Sequence, residues 1–520
     1  MNRRWSVDFR MFGACVGVGL LLLGGAVPGS AAQPTGIDST AQARLAGAVA
    51  DTIEAPPFAG AWWGIHVRNL ETGETLYSRN ADQSFVPASN TKLLTAAAAL
   101  ERLGPDYRYT TTVYADGPIR NGTLHGNLIV RGRGDPTLGG HRQRDDPTRV
   151  LRQWADSLRA HGIHRIEGDV IGTDDPFSDA PMGPSWNWDW VPASYAAEPN
   201  GLVFHGNRID LRLVGRRAGG SAWTSWSPVN TGFVTVQNAT RTVPPDSATE
   251  GDVTRALGTN TIRVGSTLHP GERDTTAVTI TDPTAFVAHV VHDVLLDQGL
   301  SIGGTPRAAD ALSIEPDVGA DDVRPVATYR SPPLRAIVHT MNHESNNLYA
   351  EQLLRTMAVV DPPPPADDDQ DVGSAARGVL ALRTAVAEVG VDTSDVTLEG
   401  GSGLSRKNLV TPRALTQLLT HYRTATDTTT AAPFFRSLPT GGAEGTLEDR
   451  FPAGAPARGR VRAKTGTLTG VSSLSGYVET RDGVPIAFSI LCNHHRTDSD
   501  RVRAAQDAIV NAIVTLPSGP

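Results

Sequence analysis

Residues Ser89–Pro105, SNTKLLTAAAALERLGP, decide how the rest of the chain is read. Alanine and leucine fill this stretch, and both are strong helix formers. Gly104-Pro105 supplies the stop, so the spacing predicts a long helix over Ser89–Leu103. At its start, Ser89 and Lys92 stand three residues apart and share a face, so a hydroxyl and an amine can meet. The hydroxyl also lies at the positive end of the helix dipole, which favours a developing alkoxide. The plainer reading makes Ser89 a helix cap and Lys92 a solvated first-turn residue.

Lysine usage sharpens that choice. Of 47 basic residues only Lys92, Lys407 and Lys464 are lysines. Arginine does not deprotonate in a protein, whereas a lysine amine can serve as a base. Outward from the helix, Ala61–Asn69 and Glu74–Tyr77 read as strands around the turn Glu71-Thr72-Gly73, and Thr40–Ile53 as a helix. The far end of the chain has the same texture. It runs strand (Gly470–Glu479), turn (Arg481-Asp482-Gly483), strand (Pro485–Cys492) and helix (Arg501–Thr515). Helical periodicity recurs at Leu334–Val338 and Leu348–Met357, and Asp361–Asp371 reads as an exposed loop.

Between these ends the pattern changes to short β-like pieces with Gly, Asp and Pro turns, such as Asn127–Val130, Asp169–Gly172 and the run over 208–285. Helices are expected near Thr148–Ala160 and Ala285–Gly299. The chain therefore reads as an α/β domain over 33–113 and 323–520, interrupted by a β-rich insertion over 114–322 that forms one or two smaller domains.

Length and composition bound the alternatives. The 520 residues are 39% hydrophobic, which excludes disorder and implies two or three packed units. The chain opens with Arg3, Arg4 and Arg10, an apolar run from Met11 to Val27, and small residues up to Ala32. This is the form of an export signal cleaved after Ala32, with an uncleaved anchor as the alternative. Removing residues 1–32 takes away three Arg and one Asp and moves the net charge from −8 to −10. That acidic balance argues against a nucleic-acid partner. The mature chain keeps Cys492 alone, so it holds no internal disulfide.

Two further motifs follow the first. Ser345-Asn346-Asn347 lies just before the helix starting at Leu348, where Ser and Asn are also common caps. Lys464-Thr465-Gly466-Thr467 precedes the C-terminal strand pair, and Gly466 would let a ligand approach the strand backbone closely. The order Ser-x-x-Lys, Ser-x-Asn, Lys-Thr-Gly is that of β-lactamases and penicillin-binding proteins. Ser89 and Ser345 are 256 residues apart, and Ser345 and Lys464 are 119 apart. With Gly132-Arg133-Gly134-Asp135-Pro136-Thr137-Leu138, Trp186-Asn187-Trp188-Asp189, Asn207 and Gly401-Ser402-Gly403-Leu404-Ser405-Arg406, the chain resembles the class C low-molecular-mass penicillin-binding proteins. These are D-alanyl-D-alanine carboxypeptidase/endopeptidases of the S13 peptidase type. In one place it departs from them: Gly400, beside Glu399, stands where the family usually has Asp.

The resemblance implies a β-lactamase/transpeptidase-like fold, an antiparallel sheet flanked by helices. It makes Ser89 the nucleophile and Lys92 its base. The neutral amine would cost about 4 kcal/mol at neutral pH unless burial and a second cation, Lys464, lower its pKa. Ser345 would relay a proton to the leaving amine, and Asn347 would hold the substrate amide and orient Lys92. Lys464 and Thr465 would bind the terminal carboxylate, with the backbone N–H groups of Ser89 and Thr467 as the oxyanion hole. Asp189 and Arg406 would read the free end of the stem peptide's diamino acid, between walls of Tyr195 and Leu468. By itself Asp189 also reads as a turn residue among surface tryptophans. The implied substrate is the peptidoglycan stem peptide, and β-lactams are implied as covalent inhibitors. No cofactor, no metal and at most peripheral membrane contact are expected, and the protein would be exported and periplasmic or cell-envelope. A serine β-lactamase and a catalytically idle peptidoglycan-binding or sensor protein are the rival readings. His339 and His343, at i and i+4, lack the Glu placement of a zinc-peptidase helix, and His494-His495 reads as a strand-end pair.

Overall fold

A computed structural model describes residues 36–518, except 141–142, 144, 176, 178–181, 184, 312–318, 321 and 364–372. The expected export signal, and most of the loop expected at Asp361–Asp371, lie outside the described residues. Among the described residues no helix is long and apolar enough to cross a membrane.

Five antiparallel strands form the sheet that carries the motifs, in the order Thr75–Arg79, Trp62–Asn69, Pro485–Asn493, Val471–Glu479, Val461–Leu468. The two ends of the chain meet here, since Trp63 pairs with Cys492 and Val67 with Phe488. Side chains alternate between the faces of a strand. In Pro485–Asn493, Ile486, Phe488, Ile490 and Cys492 enter one core with the helices Ser39–Ile53 and Ser499–Val514. Ala487 and Leu491 enter another, shared with Thr91–Leu103, Leu334–His343, Asn347–Val360, Ala375–Glu388 and Pro412–Thr424. The alanine-rich helix runs through that second core, with every residue from Thr91 to Leu100 buried. Alanine at 96 to 99 removes bulk from all its sides, so neighbouring helices can enclose it.

The intervening segment has its own core. Valine, leucine and isoleucine from many short strands pack there with Trp154, Phe204 and Phe286. The helix Arg149–Ala160 buries Val150, Leu151, Trp154, Ala155 and Leu158, a single apolar stripe. A five-stranded sheet orders Pro306–Ala308, Val170–Thr173, Asn127–Arg131, Thr110–Asp116 and Val323–Arg330. The boundaries read from sequence therefore need correction. The strand Thr110–Asp116 spans the expected cut at 113, and it pairs with Val323–Arg330 from beyond the second cut. Both strands belong to the inserted sheet. The chain crosses over at Tyr109 and Ser331, which exchange hydrogen bonds of 2.9 and 3.1 Å. The local pattern missed this because a strand reads alike along the chain whichever sheet it joins.

Candidate active site

The helix that follows Ser89 starts later than expected. Ala88–Asn90 is a 3-10 turn and the α-helix begins at Thr91, so Ser89 sits on the turn that feeds it. Ala88 holds φ +46°, a left-handed conformation that costs a non-glycine residue about 1 kcal/mol. The surroundings hold it there: Ala88 O accepts from Thr91 Oγ1 at 2.9 Å, and Pro87 O from Ser473 Oγ at 2.7 Å. Asn90 ties the turn to the edge strand by donating to Lys464 O at 2.9 Å.

Lys92 is fully buried, which removes the solvated-residue reading. Its Nζ lies 2.9 Å from Ser89 Oγ, 2.6 Å from Asn347 Oδ1 and 2.6 Å from Ser402 O. The last two are acceptors only. A neutral amine has two N–H bonds and one lone pair, so satisfying both acceptors turns the lone pair to the serine hydroxyl. Burial and, next, the Lys464 ammonium push the Lys92 pKa well below the usual lysine range, while the Glu351 carboxylate opposes them. The second cation is thus the smaller cause. Lys464 is itself fully buried and lowered by burial to about 7, so its charge varies near neutral pH.

Ser345 also holds a left-handed backbone, φ +55°, between two helices. The capping task falls to Asn346, which accepts from Tyr349 N at 3.1 Å and leaves Ser345 Oγ to receive Lys464 Nζ at 2.9 Å. Asn347 Nδ2 donates to Tyr195 O at 2.8 Å, so one amide bridges the lysine and a loop of the inserted segment. Thr465 Oγ1 donates to Thr446 Oγ1 at 2.9 Å, a partner no sequence motif announced.

Ser89, Ser345, Asn347, Thr465, Gly466 and Thr467 line one cavity of about 680 Å³, and Tyr195 and Leu468 form part of its wall. The glycine has a reason besides the expected one. A Cβ on Gly466 would stand 2.2 Å from Ser473 Oγ, 2.8 Å from Ser89 N and 2.9 Å from Pro87 O. It permits the close approach of Ser473 and of the turn that carries Ser89.

Asp189 and Arg406 do not line this cavity. Arg406 is exposed and donates to Thr469 O at 2.6 Å, beside the cavity wall. Asp189 lies on the short turn Trp188–Trp190, close enough to Tyr195 to help raise its phenol pKa after burial. Trp190 meets Tyr195 edge-on at 6.0 Å and reaches the cavity. His339 and His343 stack their rings at 3.8 Å, and His494 and His495 directly follow the strand ending at Asn493.

At the departure from the family pattern, Glu399 turns away to Lys407 (3.2 Å) and Ser185 (2.6 Å). The carboxylate that meets the Gly-Ser-Gly loop is that of Glu351, which accepts from Ser402 N at 3.0 Å. Its signal in the sequence was its spacing: Asn347, Glu351 and Arg355 recur every four residues on one helix face.

A serine, two buried lysines and a second serine across a cleft, on an antiparallel sheet flanked by helices, define the β-lactamase/transpeptidase-like class of active-serine fold. The chain belongs to the D-Ala-D-Ala carboxypeptidase 3 (S13) family, whose model matches residues 45–515. It is therefore a D-Ala-D-Ala carboxypeptidase, a hydrolase of the penicillin-binding protein group. It is 34% identical over 471 residues to a D-alanyl-D-alanine carboxypeptidase of Actinomadura sp. (strain R39), covering 88% of this chain and 82% of that one. With D-alanyl-D-alanine carboxypeptidase DacB of Haemophilus influenzae the identity is 25%, over 84% and 86% of the two chains. The crystal structure of penicillin binding protein 4 from H. influenzae superposes with a TM-score of 0.76 at 23% identity, covering 90% of this chain and 99% of that one.

Proposed function

We propose that the protein is an exported enzyme that attacks the D-Ala-D-Ala bond of peptidoglycan stem peptides through an acyl-enzyme on Ser89. It also cleaves D-Ala–diamino acid cross-links and is acylated by penicillins. One observation carries this reading: the buried Lys92 Nζ lies 2.9 Å from Ser89 Oγ, with the acceptors Asn347 Oδ1 and Ser402 O as its two other partners.

In this reading Lys92 takes the Ser89 proton as the oxygen attacks the carbonyl carbon. The backbone N–H groups of Ser89 and Thr467 meet the oxyanion, an arrangement worth about 3–4 kcal/mol per donor. Substrate carries a carboxylate that binds at Lys464 and Thr465. Its charge restores the Lys464 ammonium, and that ammonium in turn keeps Lys92 neutral, so binding prepares the base. Ser345, bonded to Lys464, passes a proton to the leaving amine. Water then hydrolyses the ester by the same route. Asp189 and Arg406, outside the cavity lining, bind the ammonium and carboxylate at the free end of the diamino acid. Penicillin binding protein 4 of H. influenzae, similar in fold, has been crystallised in complex with a β-lactam, which supports acylation by penicillins.

The test is intact mass after incubation with benzylpenicillin, on the mature protein and on Ser89→Ala. One penicilloyl adduct on the first and none on the second is the expected result. No adduct on either overturns the assignment, and sustained turnover of nitrocefin replaces the peptidase with a β-lactamase. The masses also report whether the expressed chain has lost residues 1–32.

A further inference from the structure

Glu351 and Arg355 are among the most deeply buried charges in the molecule, at 0% and 1% side-chain exposure, joined at 2.9 Å. A buried ion pair is weak evidence for stability, because desolvation offsets most of its attraction and apolar replacements often do as well. Its location says more. Glu351 Oε2 faces Arg355, while Oε1 accepts from Ser402 N at 3.0 Å. The carbonyl of the same Ser402 receives Lys92 Nζ at 2.6 Å. On its other side Ser402 is followed by Gly403, at φ +87°, where a Cβ would stand 1.9 Å from Ala88 O. The loop is thus clamped between the carboxylate and the nucleophile's turn, and its Ser402 carbonyl is aimed at the amine. Gly400 completes the fit: a Cβ there would lie 2.9 Å from Glu351 Oε1, so the glycine leaves room for a carboxylate arriving from the helix.

We propose that Glu351 is the positioning residue for Lys92, holding the Ser402 peptide so that its carbonyl fixes the amine's orientation toward Ser89, in the space that Gly400 leaves open. This rests on the Ser89–Lys92 reading above. Glu351 touches neither substrate nor the reacting atoms, and it acts through Ser402. Its charge has a second consequence. The charged groups facing Lys92 are Lys464 from the edge strand and Glu351, backed by Arg355, from the Asn347 helix. Glu351 favours the Lys92 ammonium, so removing its charge moves the acid limb of acylation to lower pH.

The experiment measures benzylpenicillin acylation by stopped flow, separating the acylation rate constant from non-covalent affinity, over pH 5 to 9. Glu351→Ala is expected to lower the rate constant by about 100-fold, the scale of a misplaced catalytic group, with affinity unchanged. Glu351→Asp, which keeps the charge, recovers part of that loss. Glu351→Gln with Arg355→Gln leaves no unpaired buried charge, so it keeps a folded protein in hand if Glu351→Ala unfolds. Its acid limb is expected at lower pH than that of the unsubstituted enzyme. Folded variants that acylate at the unsubstituted rate with an unmoved acid limb overturn the proposal. Failure of the unsubstituted enzyme to acylate at all overturns the Ser89–Lys92 reading instead, which keeps the two failures distinct.

Discussion

The floor and the rim of the cleft are built by opposite means. On the floor, Lys92 and Lys464 are fully buried, each with hydrogen-bonded partners drawn from separate stretches of chain. On the rim, Trp188 is 73% exposed, Tyr195 49% exposed, and Arg406 holds one backbone carbonyl. The difference follows from what each is proposed to do. A lysine serves as a base at neutral pH where burial or a nearby cation lowers its pKa, and burial needs dense packing. Recognition of a charged peptide end works at a solvated surface, where small energies suffice and the groups can adjust.

Four measurements break or sharpen that contrast. The largest effect is expected on the floor: Lys92→Ala lowers the benzylpenicillin acylation rate by about 10²–10⁴-fold, the usual contribution of a general base. A loss under tenfold would mean that burial of the amine serves the fold alone. Next, Gly466→Ala forces a methyl against Ser473 Oγ and Ser89 N. It is expected to slow acylation by about 100-fold and to cost about 1–3 kcal/mol in urea unfolding. An unchanged variant would show that the turn yields easily. On the rim, Asp189→Asn and Arg406→Gln should leave penicillin acylation within twofold. Each should lower kcat/KM for a stem peptide with a free diamino acid end by about tenfold, or about 1.4 kcal/mol. Equal losses with a peptide lacking that end would remove the recognition role.

The fourth measurement is a slope of stability with pH. Lys464 has a folded pKa of about 7, against a lysine model value of 10.5. Between these values the unfolded chain binds more protons than the folded one, so stability rises with pH across that window. Thermal unfolding of the unsubstituted protein minus that of Lys464→Met, followed from pH 7 to 10, should show a rising difference. A flat difference would mean that Lys464 keeps its proton in the fold.

Much of the site was legible because its chemistry uses a rare residue type at fixed spacing. With three lysines in the chain, two of them inside motifs, Lys92 and Lys464 stood out, and Ser89 followed from helical periodicity. Asn347 and Thr465 came with their motifs. Glu351 did not, since glutamate four residues before an arginine is also how an ordinary exposed helix pair reads. Only its burial, beneath a loop about 50 residues further on, gives it another meaning. Thr446 was hidden for the same reason, as a hydroxyl whose partner lies 19 residues away.

Sequence alone determined the helix-forming core segment, the order of the three motifs, the mixed α/β and β-rich textures, and the family. These are local or additive properties: propensity, period and spacing along one chain. Tertiary structure decided where the inserted sheet begins, why Gly466 must be glycine, and which carboxylate supports the Ser402 loop. It also decided the protonation preferences of the two lysines. Each of these depends on distances between residues far apart in sequence and on exclusion of water, and no one-dimensional pattern records either.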